Sequence, residues 1–149
     1  MPHINEHLDF TVEVFVVFDG KVLLRKHDKY GIWLGVGGHI EKDEDPNETA
    51  LREVKEEIGL DVQLLDTRFY KGDGEVIQLI APISVNRHRI SDSHEHVSFI
   101  YLAKASGNEV VPENSTDEWK WCTKEDIDNM FDLQDQVAFY AKKAIDLII

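Results

Sequence analysis

Three glutamates in the middle of the chain have the charge and spacing to bind a divalent cation. Glu53, Glu56 and Glu57 stand at i, i+3 and i+4, so their carboxylates project from one side of a helix. Carboxylate oxygens and backbone carbonyls, such as those of the preceding Gly37-Gly38 pair, are the ligands that Mg²⁺ or Mn²⁺ selects. The alternative interpretation is a solvated acidic face, the common fate of glutamates on an exposed helix. The glycine pair favours the metal site, where cations would neutralise both the glutamates and a bound diphosphate.

The helix that must carry these glutamates is strongly marked in the sequence. Asp45 has the side chain of an N-cap residue, Pro46 suits the first helical position, and Glu48 completes a capping box. Gly59 stands where a left-handed residue commonly ends a helix. These signals predict a helix from Pro46 to Ile58. Its apolar positions predict a buried stripe of Ala50, Leu51, Val54 and Ile58.

Residues 38–60 resemble the Nudix box. That motif reads Gly, five residues, Glu, seven residues, Arg-Glu, an aliphatic residue, one residue, Glu-Glu, one residue, Gly and an aliphatic residue. Every fixed position is met in this chain, and a chance match is on the order of 10⁻¹⁰ per start position. The resemblance continues weakly before the box, through 22–25 and Trp33, and after it, through 119–127. One departure is Val36, where many members of the family have proline.

The resemblance implies a Mg²⁺- or Mn²⁺-dependent enzyme that hydrolyses a nucleoside diphosphate linked to another group. The metal ligands that it implies are three carboxylates and one backbone carbonyl, those of Glu53, Glu56, Glu57 and Gly38. Arg52 would orient a glutamate through a salt bridge, and Glu44 would steady the loop before the helix. On the residues alone, a surface pairing of Arg52 with Glu48 or Glu56 is an equally good interpretation.

Hydrolysis also needs a base that accepts the proton of the attacking water. In this family the base is a box glutamate or one from a later loop. Glu95 is the first candidate outside the box and Glu118 the second, although either residue is more often an ordinary surface carboxylate.

Three side chains are candidates for binding the substrate. Arg25 has the charge to contact a phosphate, while Trp33 and Trp121 offer rings on which a base could stack, as does Tyr70. Aromatic residues on strands are more often part of the core, which is the alternative for all three rings.

His94 and His96 alternate along a predicted strand and therefore face the same way, as two metal ligands would. No third soft ligand is apparent in the sequence, so we favour an exposed pair at a strand edge. His39 and Glu41 are expected to be solvated residues of the loop near the metals.

The order of elements predicts a single domain of α/β (α+β) class over 1–149, with a Nudix-like mixed β-sheet sandwiched between helices. Residues 1–7 are expected to be flexible, and a polar loop contains Asp28 and Lys29. From 124 to the end the pattern is helical. The predicted strands are 8–18, 21–26, a short extended piece over 33–38, 61–70, 75–85, 96–105 and 119–123.

Composition limits the partners and the compartment. The net charge of −13 opposes binding to the backbone of duplex nucleic acid. The apolar stretches are far shorter than the ~20 residues of a membrane helix, and the N-terminus does not resemble a secretion signal. We therefore expect a cytoplasmic protein without a membrane partner. Cys122 is the only cysteine and is expected to be a buried hydrophobe. A homodimer is left open because small members of the family are often dimers.

The substrate is the least determined feature. A nucleoside triphosphate or an oxidised purine nucleotide is the first expectation, and ADP-ribose or a nucleotide sugar is the alternative. The ADP-ribose subgroup often has a proline after the box where this chain has Val76, which weighs against that substrate. A non-catalytic nucleotide-sensing module would tend to lose box glutamates, and an isoprenoid diphosphate isomerase needs a cysteine near the box, from which Cys122 is remote. Loops such as 86–93 and 110–117 are expected to select the substrate.

Overall fold

A computed structural model describes residues 5–27 and 31–149, which contain eight strands and three helices. Residues 1–4 of the predicted flexible terminus, and Asp28 and Lys29 of the predicted loop, lie outside the described residues. The strands are β1 (Leu8–Phe18), β2 (Lys21–Lys26), β3 (Trp33–Leu34), β4 (Val36–His39), β5 (Val62–Leu64), β6 (Ser84–Ser91), β7 (His94–Ala105) and β8 (Trp119–Cys122). The helices are α1 (Pro46–Ile58), α2 (Lys124–Asp128) and α3 (Asp135–Leu147).

One mixed sheet is built around β1. This strand runs parallel to β7 and antiparallel to β2 and β4. β2 also pairs with β3 and β8, and β7 pairs with β5 and β6, all antiparallel. The turn from β1 to β2 holds Asp19 and Gly20 at φ values of 50° and 75°, the left-handed conformation that a two-residue hairpin needs.

Helices cover both faces of the sheet. Because side chains alternate along a strand, Val12, Val14 and Val16 of β1 belong to the core that contains α1, whereas Phe15 and Val17 belong to the core that contains α3. The predicted mixed sheet between helices is therefore confirmed. Among the helices of the described residues, none is long and apolar enough to cross a membrane.

α1 has the bounds that its capping signals predict. The backbone N–H of Glu48 donates to Asp45, the Glu48 carboxylate accepts from the backbone N–H of Asp45, and Gly59 ends the helix at φ 69°. Ala50, Val54 and Ile58 are buried as expected. Leu51 is 45% exposed, so its predicted burial is wrong: the buried stripe follows i, i+4 spacing and leaves the adjacent position at the surface.

The segment between α1 and β7 differs most from the prediction. The predicted strand over 61–70 is reduced to β5, and the one over 75–85 is wrong, because residues 65–83 form no helix or strand. Phe69 and Ile77 have strand-forming side chains, but they are exposed and find no sheet face to pack against. The next strand is β6, which occupies most of the loop predicted over 86–93.

Candidate active site

Two of the three α1 glutamates point inward, toward the glycine segment of β4. The side chains of Glu53 and Glu57 are 4% and 13% exposed, whereas that of Glu56 is 52% exposed. A Cβ atom added to Gly38 would lie 2.4 Å from Oε1 of Glu53. Glycine at this position therefore lets a buried carboxylate approach the backbone of β4 closely.

The carboxyl groups of the buried Glu53 and the mostly buried Glu57 both have pKa values above their usual range. Burial raises the pKa of Glu57 to about 8, although Arg25, with Nη1 at 3.5 Å from Oε2 of Glu57, opposes the shift. Burial likewise raises the pKa of Glu53 to about 6, against the attraction of Arg52. A divalent cation would supply positive charge beside them, and the donors present are the hard oxygens that Mg²⁺ and Mn²⁺ prefer.

Arg52 joins the loop before α1 to the glutamates on the helix. Its guanidinium donates to both carboxylate oxygens of Glu44, at 2.7 and 3.0 Å, and to Glu53 at 3.0 Å and Glu56 at 3.1 Å. The bonds from Arg52 are the main reason that the pKa of Glu44 falls to about 2. Nη2 of Arg52 also donates to the carbonyl oxygen of His39, at 3.2 Å. Arg52 thus contacts Glu56, as one interpretation of the sequence predicted, but it also fixes Glu53 and the loop.

A cleft of about 560 Å³ opens beside these carboxylates. Its volume lies within the roughly 300–1,000 Å³ of small-molecule sites in proteins. Its walls include Glu13, Arg25, Gly38, Glu53, Glu57 and His96. The cleft therefore brings Arg25, the predicted phosphate contact, next to two of the predicted metal ligands and the glycine.

Glu13 is a residue of the cleft that the sequence reasoning missed. It accepts a hydrogen bond from the backbone N–H of Gly35 at 3.0 Å, and burial raises its pKa to about 7. The available signal was a lone carboxylate between the apolar residues Val12 and Val14 of a strand. Its burial depends on the pairing of β1 with β4, which places Gly37 opposite Glu13.

We expect Glu13→Gln to stabilise the protein more at pH 8 than at pH 5. The pKa of Glu13 is raised from its usual 4.5 to about 7, so the folded protein holds this proton more tightly than the unfolded chain. Wild type consequently loses stability as the pH rises through that interval, while the glutamine, which can still accept from Gly35, does not. Thermal unfolding midpoints of both proteins, measured with a chelator at the two pH values, test this.

Glu109→Gln, at an exposed position, is the matched control and should show the same difference from wild type at both pH values. If the gain in unfolding midpoint from Glu13→Gln were no larger at pH 8 than at pH 5, Glu13 would not have the raised pKa on which this prediction depends.

The family of the chain follows from its similarity to known proteins. The family model described as the NUDIX domain matches residues 8–146, nearly the whole chain. The chain is a Nudix hydrolase. A solved structure of a NUDIX-family hydrolase from Clostridium perfringens is 37% identical, has a TM-score of 0.87, and the match covers 98% of this chain and 100% of that one.

Two curated relatives have named activities. The CTP pyrophosphohydrolase of Escherichia coli K12 is 28% identical over 100 residues, which are 62% of this chain and 74% of that protein. The probable DHNTP pyrophosphohydrolase of Lactococcus lactis is 28% identical over 107 residues, 71% of this chain but only 60% of the relative's length. This Nudix hydrolase therefore has pyrophosphohydrolase relatives, and enzymes of the family generally use divalent metal ions.

The predicted aromatic contacts lie away from the cleft of this Nudix hydrolase. Trp33 packs in the core that contains α3, with Nζ of Lys120 at 4.7 Å from the ring centroid. Trp121 packs 6.4 Å from the ring of Phe18, and Tyr70 is exposed. None of these three rings is among the described residues that line the cleft. A stacking role for them stays a prediction.

Neither candidate base from outside the box lines the cleft in the described part of the chain. Glu95 forms two hydrogen bonds with Arg87, at 2.9 and 3.0 Å, which lower its pKa. Glu118 is exposed and lies 3.8 Å from Nζ of Lys26. Sequence reasoning missed Glu113, whose backbone N–H donates to the carbonyl of Glu57 at 3.0 Å. Burial is the largest cause of the raised pKa of both Glu53 and Glu57, the charge of a neighbouring α1 glutamate is the next raising cause, and the charge of Glu113 is a smaller one.

The sequence predicted that His94 and His39 are exposed to solvent, and this is wrong. His94 is 5% exposed rather than part of an exposed pair, and His39 is buried rather than solvated. Both approach the carboxylate of Asp9, which comes from β1 and which the sequence did not connect with them.

Proposed function

We propose that this Nudix hydrolase cleaves a phosphoanhydride bond of a nucleoside triphosphate with the help of Mg²⁺ or Mn²⁺. The observation that carries the proposal is a pair of inward-pointing carboxylates with raised pKa values, the buried Glu53 beside Gly38 and the mostly buried Glu57, at the wall of a nucleotide-sized cleft. A protein with a net charge of −13 needs cations at such a site before it can bind a polyphosphate.

The cations would be held by Glu53, Glu56, Glu57 and the carbonyl of Gly38. When bound, the cations would neutralise charge on the phosphates and activate a water molecule. Arg52 would position the carboxylates of Glu53 and Glu56 through hydrogen bonds of 3.0 and 3.1 Å. Arg25, held between Glu57 and Asp117, would contact a phosphate from the cleft wall.

A carboxylate near the glutamates must accept the proton of the attacking water. Glu113 is favoured over Glu95 because its backbone N–H donates to the carbonyl oxygen of Glu57 at 3.0 Å, although neither side chain is among the described residues that line the cleft. Glu95 is held by Arg87, and its lowered pKa makes it a weaker base. We therefore propose Glu113 or a box glutamate as the base.

A triphosphate is the favoured substrate because both curated relatives carry names of triphosphate pyrophosphohydrolases. The volume of the cleft suits a small nucleotide, and most of the side chains in its walls are polar or charged.

The test is a substrate panel with and without metal. Purified protein is incubated with CTP, GTP, an 8-oxo-purine triphosphate, ADP-ribose and a nucleotide sugar, each with Mg²⁺, Mn²⁺ or a chelator. Pyrophosphate release, or phosphate release after phosphatase treatment, is then measured. We expect turnover of a triphosphate only with a divalent ion. Turnover of ADP-ribose or the sugar alone would reassign the substrate class, and absence of any turnover despite metal binding would overturn the hydrolytic proposal.

A further inference from the structure

A second group of side chains that can bind a metal ion lies on the strands of the sheet. It is separate from the glutamates of α1. Asp9 of β1 stands directly opposite His96 of β7 in the parallel register. His94 precedes His96 by two positions and so projects from the same face of β7. His88 of β6 lies opposite His96 on its other side, and the ring of His39 lies 5.0 Å from that of His96.

The distances within this group suit a small cation. One ligand atom from each of Asp9, His94 and His96 lies within 4.8 Å of the other two. Oδ2 of Asp9 is 3.3 Å from Nε2 of His94. Ligands at 2.0–2.1 Å from a tetrahedral Zn²⁺ ion are about 3.4 Å apart, so small side-chain movements would complete the site.

The hydrogen bonding of His94 favours a positive charge between it and Asp9. Nδ1 of His94 lies 3.0 Å from the carbonyl oxygen of Glu6, which can only accept, so Nδ1 carries the proton. Nε2 of His94 therefore faces Oδ2 of Asp9, and either a proton or a metal ion can lie between these two atoms. Metal-bound histidines commonly donate their other N–H to a backbone carbonyl in this way.

The burial of Asp9 and His94 also favours a positive charge between them. Asp9 is 1% exposed and His94 is 5% exposed, and an ionised carboxylate is costly in such surroundings unless it is paired. His39 contributes from the other side, with Nε2 at 3.1 Å from Oδ2 of Asp9.

We propose that Asp9, His94 and His96 bind a divalent transition-metal cation of the Zn²⁺ class, with His39 as a positioning residue for Asp9. Two imidazoles and one carboxylate select such ions, whereas the glutamates of α1 offer only the hard oxygens suited to Mg²⁺. The site is distinct from the one proposed for hydrolysis, and its occupancy can be measured without any turnover.

The site has a direct structural connection to the catalytic residues. His39 follows Gly38 in β4, its carbonyl oxygen accepts a hydrogen bond from Arg52, and both His39 and His96 line the cleft. An ion held by Asp9 would therefore fix the end of β4 at the point where Gly38 meets Glu53. It would also place a cation on the wall of the cleft, where the anionic substrate of the proposed reaction would bind.

The test is the zinc content of tag-free, full-length protein. The protein is stripped with a chelator, dialysed against Zn²⁺ in an excess of Mg²⁺, and assayed by atomic emission. Co²⁺ is titrated in parallel and followed by its visible absorption. We expect one equivalent of zinc in wild type, a tighter preference for Zn²⁺ than for Mg²⁺, and a zinc-dependent rise in the unfolding midpoint.

The variants Asp9→Asn and His96→Gln should bind zinc at least tenfold more weakly, and the midpoint should no longer respond to it. Glu57→Gln and His7→Gln should keep the zinc, which separates this site from the glutamates and from surface histidines. His96→Gln keeps the test informative if Asp9→Asn does not fold, because His96 is partly exposed. Wild type without zinc, or zinc that survives in the folded site variants, would overturn the proposal.

Discussion

Glu57→Gln is expected to lower kcat for the preferred nucleotide by roughly two to four orders of magnitude, because a catalytic metal ion contributes several kcal/mol of charge stabilisation. The substitution removes one carboxylate from the proposed ligand set and keeps the volume of the side chain. Steady-state kinetics over a range of Mg²⁺ concentrations measure the loss, and a higher Mg²⁺ requirement should accompany it.

The same variant should fold normally, which makes the kinetic result interpretable. Burial raises the pKa of Glu57 to about 8, so in the absence of metal the folded protein carries a largely protonated carboxyl group at neutral pH. Glutamine resembles that neutral group in shape and polarity. We therefore expect an unfolding midpoint in chelator that is at or above that of wild type.

Glu48→Gln is the matched control on the same helix. Glu48 is exposed and accepts a hydrogen bond from the N-cap residue Asp45, a contact that glutamine can also make. The Glu48→Gln variant should retain turnover close to that of wild type. Turnover of Glu57→Gln within a few fold of wild type would remove Glu57 from the metal site.

The parts of the fold that follow from local signals could be predicted from the sequence. The bounds of α1 depend on Asp45, Pro46 and Gly59, each of which acts on backbone within one turn of itself. The glutamate cluster follows from the same helix, because its spacing alone places the side chains on one side. The sequence spacing does not determine which of these glutamates point inward. Glu53 and Glu57 face β4 and Glu56 faces solvent because of where β4 lies.

The parts that depend on distant partners could not be predicted. Residues 75–85 have strand-forming side chains, but a strand needs a neighbour, and β7 pairs with β6, which includes only the last two of these residues. In the same way, no pattern around His94 indicates Asp9, which lies in β1 and meets it only through the parallel pairing of β1 with β7. The surroundings of Glu13 depend on another long-range pairing, that of β1 with β4.

Gly38→Ala is expected to reduce kcat by about a hundredfold, the cost of displacing a catalytic group by roughly 1 Å. The added Cβ would lie 2.4 Å from Oε1 of Glu53 and 2.5 Å from its Cδ, so the carboxyl group must move away from β4. Because that group is the far end of a flexible side chain and Gly38 does not have a positive φ, the backbone can stay in place. We expect a change of only a few degrees in the unfolding midpoint.

Gly37→Ala is the contrasting variant, one residue away in the same strand. Its Cβ would lie 1.9 Å from the carbonyl oxygen of Val12, which is backbone of β1, so β4 itself must shift. Gly37→Ala should therefore lower the unfolding midpoint clearly, whereas Gly38→Ala should lower kcat in a protein of nearly normal stability. Equal losses of stability in the two variants would mean that Gly38 serves the pairing of β1 with β4. Normal turnover in Gly38→Ala would mean that the position of the Glu53 carboxylate does not limit the reaction.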